Sequence, residues 1–107
     1  MERRERDIEQ YFRNECRKRG FLCLKFVSPS RNGVPDRVVV TPAATVFVEL
    51  KKPGSSLRKI QRVTHSKLRR HGAAVYVVDG RRSADRLLAE LSDGRRPVAE
   101  PNDHETF

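Results

Sequence analysis

Three side chains able to do chemistry stand in segments that otherwise read as apolar strands: Asp36, Glu49 and Lys51. Asp36 opens DRVVVT (36–41), directly after Pro35. Glu49 and Lys51 lie in TVFVELK (45–51). Strand side chains alternate faces, so Glu49, Lys51 and Phe47 point one way, and Val46, Val48 and Leu50 the other. An unpaired charge inside a sheet is costly. Two readings compensate it. One is a structural Glu49–Lys51 ion pair at a sheet edge. The other is a site for a divalent cation. Mg²⁺ takes one or two carboxylates, waters and phosphate oxygens. Asp36 and Glu49 on neighbouring strands supply two carboxylates, and the backbone carbonyl of Leu50 a third oxygen. Such a cation acidifies a bound water and neutralises charge on a scissile phosphate. Lys51 would orient the water or stabilise that charge.

Further polar residues join this set. Glu5 and Glu9 sit one turn apart on the first predicted helix. Helical geometry puts Glu5 closer to the centre of the apolar stripe, which predicts that Glu5 is the more inward. Either acid could instead be a solvated face residue. In a later helix Leu57, Ile60, Thr64 and Leu68 form the predicted inward stripe, and Gln61 falls inside it. A glutamine there is a satisfied buried amide or a site residue.

The elements that must position these residues follow from periodicity and punctuation. Residues 5–19 read as a helix with Ile8, Tyr11, Phe12 and Cys16 on one stripe, ended by Gly20. Residues 21–27, 36–41 and 45–51 read as strands, separated by SPSRNG and by Pro42–Ala44. Pro53-Gly54 stops the third strand. A helix over 57–71 ends at Gly72, a strand covers 73–79, and a last helix covers 83–91. Short turns predict an antiparallel meander. The crossover helix then returns the fourth strand parallel to a neighbour. The fold class is α/β, a mixed sheet flanked by helices in the order α-β-β-β-α-β-α. Residues 1–91 form one domain, and 92–107 a polar tail without periodicity.

The chain has 107 residues, 23 Lys+Arg against 14 Asp+Glu, and a net charge of +9. Residues 1–92 carry 21 basic and 10 acidic residues, because the tail is acidic. Such a surplus favours a polyanion, nucleic acid first. The apolar runs are far shorter than the ~20 residues of a spanning helix. The charged start, MERRERDIEQ, lacks the apolar core of a secretory signal. Cys16 and Cys23 make no disulfide framework and no zinc site. A cytoplasmic protein with reduced thiols is the expectation.

GVPDR (33–37), FVELKKPG (47–54) and Gln61 resemble the VRR-NUC branch of the PD-(D/E)XK nuclease superfamily. LKFVSPSRNGVPDR (24–37) looks like the small stand-alone phage and bacterial members. The resemblance spans roughly residues 5–91 and implies a restriction-endonuclease-like α-β-β-β-α-β core. It implies hydrolysis of DNA phosphodiesters with Mg²⁺ or Mn²⁺. Asp36 and Glu49 would then be metal ligands, Lys51 the catalytic lysine and Gln61 the motif glutamine. The family's helix acid matches the ERDIE segment, with Glu5 or Glu9 as counterpart. Small members resemble archaeal Holliday-junction resolvases in fold, so a homodimer acting on four-way junctions is expected. Val75, Val77 and Val78 of the fourth strand, or the last helix, are candidate dimer contacts. A flap or duplex-nicking nuclease is the alternative. A non-catalytic DNA-binding module would lack at least one of Asp36, Glu49 and Lys51, and all three are present.

Phosphate contacts position a nuclease on DNA. Arg31, Lys52 and Arg58 are the expected near-site contacts, with Lys25, Arg37 and Arg62 beside them. Seven aromatic residues and no Trp give little support to a stacking platform for single strands.

Overall fold

The structure, a computed structural model, describes residues 4–94. The tail expected over 92–107 lies outside the described residues from 95 onward. Seven elements follow in order: α1 (Glu5–Lys18), β1 (Leu22–Lys25), β2 (Arg37–Val40), β3 (Thr45–Leu50), α2 (Lys59–Arg70), β4 (Val75–Val78) and α3 (Arg81–Ser92). The four strands form one sheet in the order β1-β2-β3-β4. β1/β2 and β2/β3 are antiparallel, and β3/β4 is parallel. The expected meander, crossover helix and parallel return are all present. No helix among the described residues is long and apolar enough to cross a membrane.

Strand alternation divides the sheet into two unlike faces. One face carries Val39, Val46, Val48, Leu50 and Val78, all buried. α1 and α3 cover it with Ile8, Phe12, Cys16, Leu87, Leu88 and Leu91. This is the apolar core. The other face carries Glu49 and Val75 and receives α2. Both cysteines are free thiols.

α2 departs from the apolar stripe expected of it. Its buried residues are Gln61, Thr64, His65 and Ser66, while Ile60 is 47% exposed. The helix is rotated so that its polar face meets the sheet. The reason is the acid beneath it: Glu49 is 2% exposed and takes a hydrogen bond from Gln61. Polar contacts at a buried carboxylate outweigh the burial of one isoleucine.

The stretch joining β1 to β2 is clamped onto α2. Thr64 donates its hydroxyl to the Asn32 carbonyl at 2.7 Å. Gly33 has φ +82°, and a Cβ there would fall 2.4 Å from the Ile60 carbonyl oxygen. Both backbone conformation and close approach therefore require glycine. Gly54 has the same φ of +82° with nothing within 4 Å of its Cβ position. Gly54→Ala should therefore cost about 1 kcal/mol, from the left-handed backbone alone. Gly33→Ala should cost about 1–3 kcal/mol more, from overpacking against backbone. Paired thermal melts test this, and equal losses in the two variants would contradict the clamp.

Candidate active site

The β2/β3 register pairs Arg37 with Val48. One residue further, the same register brings Asp36 beside Glu49, on the face that α2 covers. Asp36 extends past the ladder and accepts the Leu50 backbone N–H at 2.8 Å through Oδ2. The Leu50 carbonyl lies on the same edge of β3 as its N–H. The two carboxylates are near enough that the charge of Glu49 acts on Asp36.

Glu49 is held from several sides. Gln61 donates Nε2 to its Oε2 at 2.9 Å. The Gln61 Oε1 in turn accepts the Arg58 backbone N–H at 2.8 Å, which caps the start of α2. The amide is thus fixed at both ends. Lys51 Nζ stands 4.0 Å from Glu49 Oε2. That is a charge contact without a hydrogen bond, so the structural ion pair exists only in its loosest form. Glu49 Oε1 accepts no hydrogen bond among the described residues.

Burial is the first cause that pushes Asp36 up, from the usual carboxylate value to about 6. The neighbouring charges of Glu49 and Glu5 push the same way, and the Leu50 N–H opposes them. A half-buried acid raised by burial and by a buried acid beside it is characteristic of sites that hold a cation or a proton.

The helix acids are resolved by their surroundings. Glu9, not Glu5, is the more buried, which reverses the expectation from the helical wheel. Glu9 is taken up elsewhere: its Oε2 accepts from Arg37 Nη2 at 2.7 Å. Arg37 and Glu9 meet on the α1 face of the sheet, opposite to Glu49. Glu5 is exposed, yet its charge is felt at Asp36. Only Glu5 therefore contributes to the carboxylate cluster. Burial misled because the first turn of α1 projects beyond the apolar core.

The basic residues sort in the same way. Arg31, Lys52 and Arg58 are exposed around the site. Arg37 is 8% exposed and paired, so it does not present its guanidinium to solvent. Lys25 is exposed, but its partner in the ladder is Arg37, which puts it on the α1 face. Arg62 is exposed and donates Nη1 to the Leu57 carbonyl at 2.8 Å. Adjacent strand residues face opposite ways, and that alone separates Arg37 from Asp36.

One site residue was not anticipated. His65 is fully buried, with Nε2 3.6 Å from Glu49 Oε1. That is beyond hydrogen-bond length, and neither ring nitrogen has a hydrogen bond among the described residues. Its spacing from Gln61, i and i+4 on one helix face, was the available signal.

Among the described residues no group of three or more His, Cys, Asp or Glu side chains could hold a metal ion. The donors present are two neighbouring carboxylates and a backbone carbonyl. That set is too sparse for a cage of protein ligands. It fits a hard cation completed by water and phosphate oxygens. The unbonded Glu49 Oε1 and the negative charge that Glu49 sets beside Asp36 both favour a cation there.

Comparison with known proteins agrees with this geometry. Residues 2–82 match the VRR-NUC domain family. A protein named "Putative nuclease p44", from Acyrthosiphon pisum secondary endosymbiont phage 1, is 44% identical over 77 residues. That stretch is 71% of this chain and 83% of the phage protein. A solved structure described as a VRR_NUC domain superposes with a TM-score of 0.74 at 29% identity. The match covers 79% of this chain and 94% of the other. The convergence of Asp36, Glu49, Lys51 and Gln61 therefore stands in an α/β nuclease-like fold, and the chain belongs to the VRR-NUC domain family.

Proposed function

We propose that the protein is a metal-dependent endodeoxyribonuclease that cleaves branched DNA, four-way junctions foremost, as a homodimer in the cytoplasm of a bacterium or a phage-infected host. The observation that carries the nuclease reading is the pair of neighbouring carboxylates, Asp36 and Glu49, with Lys51 4.0 Å from Glu49 and Gln61 bonded to it. Asp36, Glu49 and the Leu50 carbonyl would hold Mg²⁺ or Mn²⁺. A cation bound there supplies charge neutralisation for the phosphate and a more acidic water. Gln61 occupies Glu49 Oε2, while Oε1 lies buried 3.6 Å from His65 Nε2. Lys51 offers only donors, and it orients the attacking water or stabilises the charge that grows on the phosphate. Arg31, Lys52 and Arg58 bind the backbone on either side.

The dimer reading rests on the sheet face that α2 leaves open. Leu22 and Leu24 are 55% and 45% exposed, and in the ladder they adjoin Val40 and Val38, which are half-buried. These ladder positions carry no charge, whereas the chain as a whole is +9. Two copies of a strongly basic protein attract only where charge is absent, and one patch meets itself about a two-fold axis. Of the contacts suggested by the sequence, Val75, Val78 and the α3 leucines are buried in the protein's own fold, whereas Val77 is exposed on the β4 edge. Leu22→Glu should shift the sedimentation mass from two chains to one without unfolding, since the side chain is exposed. An unchanged mass would remove this interface.

A cleavage panel tests the activity: four-way junction, flap, splayed arm, duplex and single strand, each with Mg²⁺, Mn²⁺ or EDTA. Paired nicks on the junction are expected, and none with EDTA. Lys51→Ala should slow cleavage by about 10²–10³-fold, and Glu49→Gln should abolish it. Cleavage that survives EDTA and both substitutions would overturn the site. Flap or duplex cutting alone would keep the site and discard the junction.

The raised pKa of Asp36 gives a second, independent test. The folded chain holds the Asp36 proton to about pH 6 and the unfolded chain only to the ordinary aspartate value of 3.8. Folding thus binds a proton, so the stability of the metal-free protein falls as pH rises between those values. Asp36→Asn should raise the metal-free Tm at pH 7.5 while destroying activity. Mg²⁺ should raise the wild-type Tm more at pH 7.5 than at pH 5, since the cation competes with the proton. Melts showing no such difference would count against Asp36 as a ligand.

A further inference from the structure

Beside the carboxylate cluster lies a groove of about 340 Å³, between the stretch joining β1 to β2 and the second half of α2. Phe26, Val34 and Leu68 give it apolar walls, and Arg31 and Lys67 supply two cations. The hydroxyl-bearing Ser28 and Ser30 also line it. It is close to the site through the backbone. Thr64 lines the groove, while the next residue, His65, faces Glu49. On the other side the Phe26 backbone N–H donates to the Asp36 carbonyl at 2.8 Å.

The groove is held in shape. The Phe26 ring packs on Phe47, with centroids 5.5 Å apart. The Thr64 bond to Asn32 and the Gly33 contact with Ile60 fix its two sides. Its volume lies near the lower end of small-ligand pockets, about 300–1,000 Å³. A duplex does not fit such a space, but a single nucleotide does.

The chemistry of the lining narrows the ligand. An inorganic anion has no use for Phe26, Val34 and Leu68. A purely apolar ligand has no use for Arg31 and Lys67. A nucleotide carries both an apolar aromatic face and a negative phosphate. We propose that the groove seats one unpaired nucleotide of the DNA substrate next to the scissile phosphodiester. Its base lies against Phe26 and Leu68, and its phosphate lies on Arg31 and Lys67. Contact through a base face tolerates any sequence, because every base has one. The groove thus selects DNA that offers an unstacked nucleotide at the cut, such as a branch point, and not a particular sequence. This deepens the nuclease reading and rests on it.

The test is a ¹H–¹⁵N NMR titration of the full chain in EDTA with thymidine 5′-monophosphate. Thymidine and inorganic phosphate serve as separate arms. The nucleotide should shift the amides of Ser30, Arg31, Lys67 and Leu68, and it should bind at least tenfold more tightly than either fragment. Lys67→Ala should weaken binding about tenfold, equivalent to 1.4 kcal/mol. Leu68→Glu should abolish it. Lys67→Ala keeps the test decisive should Leu68→Glu disturb folding, which the same spectra report. Equal binding of phosphate would reduce the groove to an anion site and overturn the proposal. Shifts scattered over the basic surface, or none, would overturn it as well. Cleavage by the same preparation in Mg²⁺ is read separately. A protein that cuts DNA but shows no groove shifts loses only the groove, and one that binds the nucleotide but never cuts loses the nuclease reading.

Discussion

Two neighbouring carboxylates, at the half-buried end of a sheet, are the constraint to which the surrounding residues answer. Burial and the charge of Glu49 both raise the cost of ionising Asp36. A sequence selected for stability alone would replace either with an apolar or amide side chain. Instead the fold spends several groups on keeping the acids in place. Leu50 gives its backbone N–H to Asp36, Gln61 gives its amide to Glu49, and Lys51 brings a positive charge near. α2 turns its polar side inward and leaves Ile60 in solvent to do so. Stability is surrendered locally because function requires the charges there.

The two-residue period of the sheet decides which groups share this site. Asp36 and Arg37 are neighbours in sequence and opposites in space. Arg37 joins Glu9 beneath α1, while Asp36 joins Glu49 beneath α2. Lys25 follows Arg37 through the ladder. The same alternation gives the molecule an apolar face, which carries the stability, and a polar face, which carries the chemistry. The split is sharp enough that one residue of slippage in β2 would exchange the two.

Much of this was legible before the fold was known. The valine run of β2, the alternation of β3 and the Pro-Gly stops mark the strands clearly, so the meander and crossover follow. Asp36, Glu49 and Lys51 stand out because charges are rare in such segments. The failures have a common cause. A helical wheel drawn from apolar residues locates the buried face only when the partner surface is apolar. α2 packs on an acid, so its wheel pointed to Ile60 and missed His65. For α1 the wheel gave direction but not depth. The charge of Glu5 is felt at Asp36 from an exposed position, and Glu9 is half-buried in a salt bridge with Arg37. Arg37 was misread for the same reason, since its pairing partner is 28 residues away in sequence.

The segment from Phe26 to Asp36 joins these separate observations. It leaves β1, touches α2 through Asn32 and Gly33, and returns through Pro35 to Asp36. Its two ends are tied by the Phe26 N–H to Asp36 carbonyl bond. Anything that seats against Phe26 or Arg31 therefore presses on the loop that carries Asp36, and anything that moves α2 moves both Gln61 and the clamp. Positioning errors of an ångström at the reacting atoms cost orders of magnitude in rate. Under the proposed nuclease reading, a rigid link between this loop and Asp36 keeps such errors small. That explains why a loop of polar and glycine residues is fastened at so many points when its length alone would have let it move freely.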